Sequence, residues 1–154
     1  MVDWKLPWAG GCRCGQVRFA VTKPPILSGA CHCTGCQKMT GSAFSLTVTV
    51  PSDGFELVAG EPVIGGLHGP VAHHHHCLHC LSWVFTRAEG FEWFVNVRAT
   101  MLDEAGWFEP FTELWTKEGL SWARIGAPHS FETSPAMEEY QGLMEAYARE
   151  GARP

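Results

Sequence analysis

Seven cysteines carry the chemistry open to this sequence, and they fall as Cys12-x-Cys14, Cys31-x-Cys33-x-x-Cys36 and Cys77-x-x-Cys80. Chance rarely produces so many close spacings. A C-x-x-C turn aims two sulfurs at one point with backbone amides behind them. A C-x-C pair at a strand end puts two side chains on one face, so either pattern can chelate an ion. Cys31, Cys33 and Cys36 lie in one turn-sized segment and can wrap an ion at small entropic cost. Cys12, Cys14, Cys77 and Cys80 then remain, and two pairs make the closed four-thiolate tetrahedron of structural zinc. The opposite pairing, in which Cys36 joins Cys77 and Cys80, has to divide the triplet between ions.

The expectation is therefore two zinc ions per chain. The four-cysteine ion is saturated, and its binding energy belongs to folding. The ion at Cys31, Cys33 and Cys36 has three protein ligands and one open position, the layout of catalytic zinc; a soft, thiolate-rich ion there favours an incoming thiol. The spacings match neither common ferredoxin run. An odd number of cysteines cannot pair completely as disulfides, and clustered cysteines in a reducing compartment are more often metal ligands.

The histidines are the competing donors. His32 sits between two ligands on an extended segment, so its side chain is expected to point away from the metal and line the surroundings. The alternative, a neighbouring histidine completing the triplet, makes that site structural too. His73, His74, His75 and His76 form an internal run. On a strand, His74 and His76 share one face, and His73 and His75 the other. A solvated edge strand is expected there, against a part in proton transfer or further metal binding. His79, inside the second knuckle, is expected to face solvent.

The elements that must position these residues read as mostly β. Gln16 to Thr22 alternates Val17, Phe19 and Val21 with Gln16, Arg18 and Ala20, the period of a half-buried strand. Further strands are expected over Leu27 to Cys31, Ala43 to Val50, Phe55 to Val58, Pro62 to Leu67, Val71 to Cys77, Trp83 to Thr86, Trp93 to Val97 and Phe111 to Thr116. One helix is legible, over about 135–149: Met137, Tyr140, Leu143, Met144 and Tyr147 recur at helical spacing, Ser134 is the N-cap candidate and Pro135 the first helical residue. With 154 residues, 45% of them hydrophobic, the chain is expected to be a single domain, 1–154, with one core.

The formal charge is -5 with 11 Lys plus Arg; no basic run offers a stripe for phosphates, so nucleic acid is not expected as a partner. No signal-peptide pattern opens the sequence and no 18-residue apolar stretch occurs in it, so no membrane association and a cytoplasmic location are expected.

Three segments together resemble the glutathione-dependent formaldehyde-activating family: Gly10-Gly11-Cys12-Arg13-Cys14-Gly15-Gln16-Val17-Arg18, Cys31-His32-Cys33-Thr34-Gly35-Cys36-Gln37-Lys38 and Gly41-Ser42-Ala43-Phe44. Weaker likeness continues past Cys77 and Cys80 through Asn96 to Asp103, Trp115, Trp122 and Phe131 to Pro135. The resemblance implies a β-tent, a mostly β domain of short antiparallel sheets with zinc sites, here with a C-terminal α-helix. It implies a structural zinc at Cys12, Cys14, Cys77 and Cys80 and a catalytic zinc at Cys31, Cys33 and Cys36. It departs at Leu81, where the family usually has Gly, and at the histidine run.

The activity implied is that of a carbon-sulfur lyase in which glutathione binds near the open zinc and adds to formaldehyde, giving S-(hydroxymethyl)glutathione. Gln37, Lys38 and Ser42 follow the ligands closely and are the candidates for binding the glutathione carboxylates. The competing class is a zinc-binding module without turnover, such as a glutathione or adduct carrier or a chaperone-like scaffold.

Overall fold

The computed structural model describes residues 3–67 and 69–154. The chain runs through β1 (Trp8–Gly11), β2 (Arg18–Val21), β3 (Leu27–Cys31), α1 (Thr34–Thr40), β4 (Ser45–Pro51), β5 (Phe55–Ala59), β6 (Val63–Ile64), β7 (Ala72–His76), β8 (Trp83–Ala88), β9 (Phe94–Arg98), β10 (Thr112–Leu114), β11 (His129–Ser130) and α2 (Tyr140–Glu150). The expected mostly β architecture with a C-terminal helix is what these elements build.

Three strands form one sheet in the order β1-β2-β5, and eight form a second in the order β11-β10-β3-β4-β9-β8-β7-β6. The central strands of the large sheet are the most apolar: Val48 and Val50 on β4, Val84 on β8, and Val95 and Val97 on β9 are at most 1% exposed. Phe19 and Val21 of β2 and Phe55 of β5 bring the small sheet onto the same core, with Phe55 against Phe85 at 4.8 Å between ring centroids. Full burial of such side chains contributes roughly 1.5–3 kcal/mol each, which is what drives the two sheets together.

Pairing is antiparallel except at one edge, where β10 runs parallel to both β3 and β11. β10 reaches β3 only after the chain has crossed the whole sheet, so it cannot return as a hairpin. The helix closes that end: Tyr147 of α2 packs on Trp4 and Phe111, with ring centroids 5.6 and 5.4 Å apart.

Several local expectations shift. The C-terminal helix starts later than Pro135, with a 3-10 turn at Met137–Glu139 leading into α2; the Glu139 carboxylate, not Ser134, accepts the Ala136 amide at 2.7 Å. β1 and α1 were not legible. β1 is a four-residue stretch with two glycines, and α1 has seven residues, one of them Gly35, too few for a helical period to declare itself.

The histidine run lies on β7, which pairs with β6 on one side and β8 on the other, so it is not a solvated edge. Its members are half-buried. His74 and His76 both pack on Trp83, whereas His75 stacks on Phe85 with centroids 4.4 Å apart and planes 11° apart. The two faces are those expected from strand alternation.

Candidate metal centre

Two turns supply the four-cysteine cluster. The first links β1 to β2: the Gly15 amide donates to the Cys12 carbonyl, and the Val17 amide donates to Cys12 Sγ at 3.3 Å. The second links β7 to β8: the Leu81 amide donates to the Cys77 carbonyl at 2.9 Å. Ser82 joins them, its Oγ accepting the Arg13 amide and lying 3.2 Å from Cys80 Sγ. The four sulfurs all lie within 4.8 Å of one another. Two of the separations are 3.6 Å (Cys12 to Cys14) and 3.7 Å (Cys14 to Cys77). A tetrahedron with metal-sulfur bonds of ~2.3 Å has edges of ~3.8 Å, so the cradle fits zinc.

Protonation points the same way. Burial works against Cys80, yet the Ser82 hydroxyl and amide and the Cys14 thiol hold it down to about 5. Although the Gln16 amide favours its thiolate, Cys14 is pushed up to about 12 by burial and by Cys12, Cys80 and Cys77. Sulfurs this close cannot all lose their protons without a cation among them.

The second cluster is built by the end of β3 and the start of α1. Cys31 closes β3, Cys33 caps α1 by accepting the Cys36 amide on Sγ at 3.3 Å, and Cys36 lies in the first turn. Their sulfurs also lie within 4.8 Å of one another, and no other Cys, His, Asp or Glu among the described residues joins the group. Cys36 is held down to about 5, first by the Cys31 thiol, with the Arg98 charge acting the same way. Cys31 is pushed far up, first by its hydrogen bond to Cys36 and then by burial. All seven cysteines are free of disulfides.

His32 does point away from these sulfurs. Its Nε2 donates to Glu113 Oε2 at 2.8 Å, with the two side chains 2% and 4% exposed. Burial tends to raise the Glu113 pKa, but the Ala127 amide, His32 and the Ile125 amide outweigh it and hold the carboxyl below its ordinary value. This pair braces the segment between Cys31 and Cys33. His79 is exposed, as expected.

Glu113 was not foreseen, nor was Arg98, which is 8% exposed and lies over the Trp83 ring at 4.1 Å. The signal available was a charged residue in an otherwise apolar strand segment. Burial lowers the Arg98 pKa to about 10, against the pull of Cys36 and Cys31; the guanidinium is still charged at neutral pH.

Gln37, Lys38 and Ser42 are brought together around an open depression of about 600 Å³ that Leu120 and Trp122 complete. Gln37 Nε2 is already engaged by the His32 and Glu118 carbonyls, at 2.8 and 3.0 Å, and so ties α1 to the 3-10 turn Thr116–Glu118. Lys38 and Ser42 are exposed. A separate cavity of about 410 Å³ lies on the side of Ser45, Trp83 and Arg98.

The profile of a family described as "Glutathione-dependent formaldehyde-activating enzyme" matches residues 7–118, a span that includes all seven cysteines. A Podospora anserina protein bearing that family name is 26% identical over 140 residues, covering 86% of this chain and 66% of its own length. An Aspergillus terreus protein of the same name is 27% identical over 149 residues, covering 88% of this chain and 78% of its own. The chain thus spans just under two thirds of the Podospora protein. A crystal structure of a Rhodobacter sphaeroides protein superposes with a TM-score of 0.51 at 18% identity, over 62% of this chain and 87% of that one; it shares the fold. No helix among the described residues is long and apolar enough to cross a membrane.

Proposed function

The chain belongs to the glutathione-dependent formaldehyde-activating enzyme family, and from that premise we propose that it is a two-zinc carbon-sulfur lyase that interconverts glutathione plus formaldehyde with S-(hydroxymethyl)glutathione. The observation that carries this reading is the three-sulfur group of Cys31, Cys33 and Cys36, which leaves a tetrahedral ion one ligand short. Cys12, Cys14, Cys77 and Cys80 would hold the second, saturated zinc. When bound at the three-sulfur group, zinc supplies Lewis acidity that favours the thiolate form of a thiol at neutral pH.

In the addition, the glutathione sulfur forms the new bond to the carbonyl carbon while the carbon-oxygen π bond opens, and the thiol proton ends on that oxygen. The protein holds the reactants: α1 presents Cys36, the His32–Glu113 pair fixes the backbone between Cys31 and Cys33, and Arg98 places positive charge beside the sulfurs. The depression beside α1, with Lys38 and Ser42 on its rim, is the place for the body of glutathione. Alignment of two small reactants can replace much of the entropic cost of their encounter.

Exchange NMR of formaldehyde and glutathione with the zinc-loaded protein tests the reading. Faster formation and breakdown of the adduct is expected. An unchanged rate at saturating protein overturns the lyase and leaves a carrier.

A further inference from the structure

The cavity beside Arg98 is larger and differently furnished than formaldehyde requires. Its walls are apolar where Met39, Phe44, Leu46, Trp83 and Met101 line it, and its polar groups include Ser45, His76 and Arg98. Arg98 Nε is buried and makes no hydrogen bond within the protein, whereas the buried Ser45 hydroxyl is turned to the Cys36 sulfur. Ser45 is 1% exposed and Arg98 8%. Leaving a buried polar group unpaired costs ~1–3 kcal/mol, more for a charged one, so the unpaired guanidinium nitrogen on this cavity calls for a ligand.

The cavity also adjoins the three-sulfur group. Ser45 is the cross-strand neighbour of Cys31, and the Arg98 charge acts on both Cys36 and Cys31. A guanidinium with a donor to spare and an aromatic wall together match a carboxylate on a small carbon skeleton, the group that arginine recognises best. The stack of Arg98 on Trp83 fixes the fork before any ligand arrives.

We infer that this cavity is a carboxylate-binding subsite of the Cys31, Cys33 and Cys36 centre, so that the carbonyl compound accepted there is an aldehyde acid such as a 2-oxo carboxylate. This rests on the proposed thiol addition and names its substrate class. The step balances as before: the glutathione sulfur bonds to the aldehyde carbon, the thiol proton ends on the former carbonyl oxygen, and the carboxylate is unchanged. A carboxylate of glutathione itself is the other source of the same chemistry.

Calorimetric titration of the zinc-loaded protein separates the sources. The probes are glyoxylate and its methyl ester, then glutathione and its diester. Glyoxylate is expected to bind at least about tenfold more tightly than its ester, the gap closing in Arg98→Met, which keeps the aliphatic stem against Trp83. A gap that closes for glutathione instead keeps the subsite and assigns it to the thiol. Equal binding of each acid and its ester to the unmodified protein overturns the subsite, and this comparison needs no variant to fold. Binding with the expected gap but no acceleration of adduct formation keeps the subsite and overturns only the lyase.

Discussion

At the scale of the residue, Leu81 is the clearest conflict between side chain and backbone. It follows the second knuckle in the left-handed region at φ 60, and its side chain is 69% exposed. The fold needs that turn because the Leu81 amide returns to the Cys77 carbonyl. A left-handed conformation costs a residue with a Cβ roughly 1–2 kcal/mol, whereas glycine enters it freely. Leu81→Gly is therefore expected to raise the stability of the zinc-loaded protein by up to about 1 kcal/mol, after the greater freedom of glycine in the unfolded chain is counted. Urea denaturation midpoints check it. A fall in stability would mean that the Leu81 side chain contributes through its place on the cavity wall beside Arg98.

At the scale of the element, β7 turns a run of histidines into a packed strand. His75 lies on Phe85 between β6 and β8, and burial, followed by the charges of Arg87, His73 and His76, holds its pKa below the ordinary histidine value. The folded strand therefore disfavours the protonated ring. In the unfolded chain the ring takes up its proton near pH ~6.5. Above that pH neither state is protonated and the effect is absent; as pH falls from there through the folded value, stability is lost. His75→Phe keeps an aromatic ring against Phe85 and cannot titrate. The stability difference between the two proteins is expected to move in favour of the Phe variant as pH falls from about 7.5 to about 5, measured by chemical denaturation. Acid effects on the thiols are common to both proteins and cancel. A difference that stays flat would show that His75 is as well solvated in the fold as out of it.

At the scale of the whole molecule, the four-cysteine cluster ties the β1–β2 turn of the small sheet to the β7–β8 turn of the large one. The three-cysteine cluster ties only β3 to the helix that follows it. Cross-links over long loops remove more freedom from the unfolded chain than those over short ones. Small zinc modules gain on the order of 10 kcal/mol from their metal. Cys80→Ser is expected to lose cooperative unfolding along with its metal, whereas Cys36→Ser keeps the fold and falls from two zinc ions per chain to one. Elemental analysis and thermal circular dichroism on the same samples read both outcomes. Equal damage by the two substitutions would assign the three-cysteine group to structure.

Taken alone, the sequence determined the grouping of the cysteines and the strand content, because close-spaced thiols and the alternation Val17, Phe19, Val21 are local patterns. Elimination among seven cysteines was enough to divide them into four and three. Only the tertiary structure decided what surrounds the open cluster. Glu113 meets His32 across 81 residues, and Cys14 reaches Cys77 across 63. Arg98 and Ser45 share a cavity because β4 pairs with β3 on one side and β9 on the other. Those meetings depend on strand order and register, which burial of the whole apolar face selects and no short stretch of residues encodes.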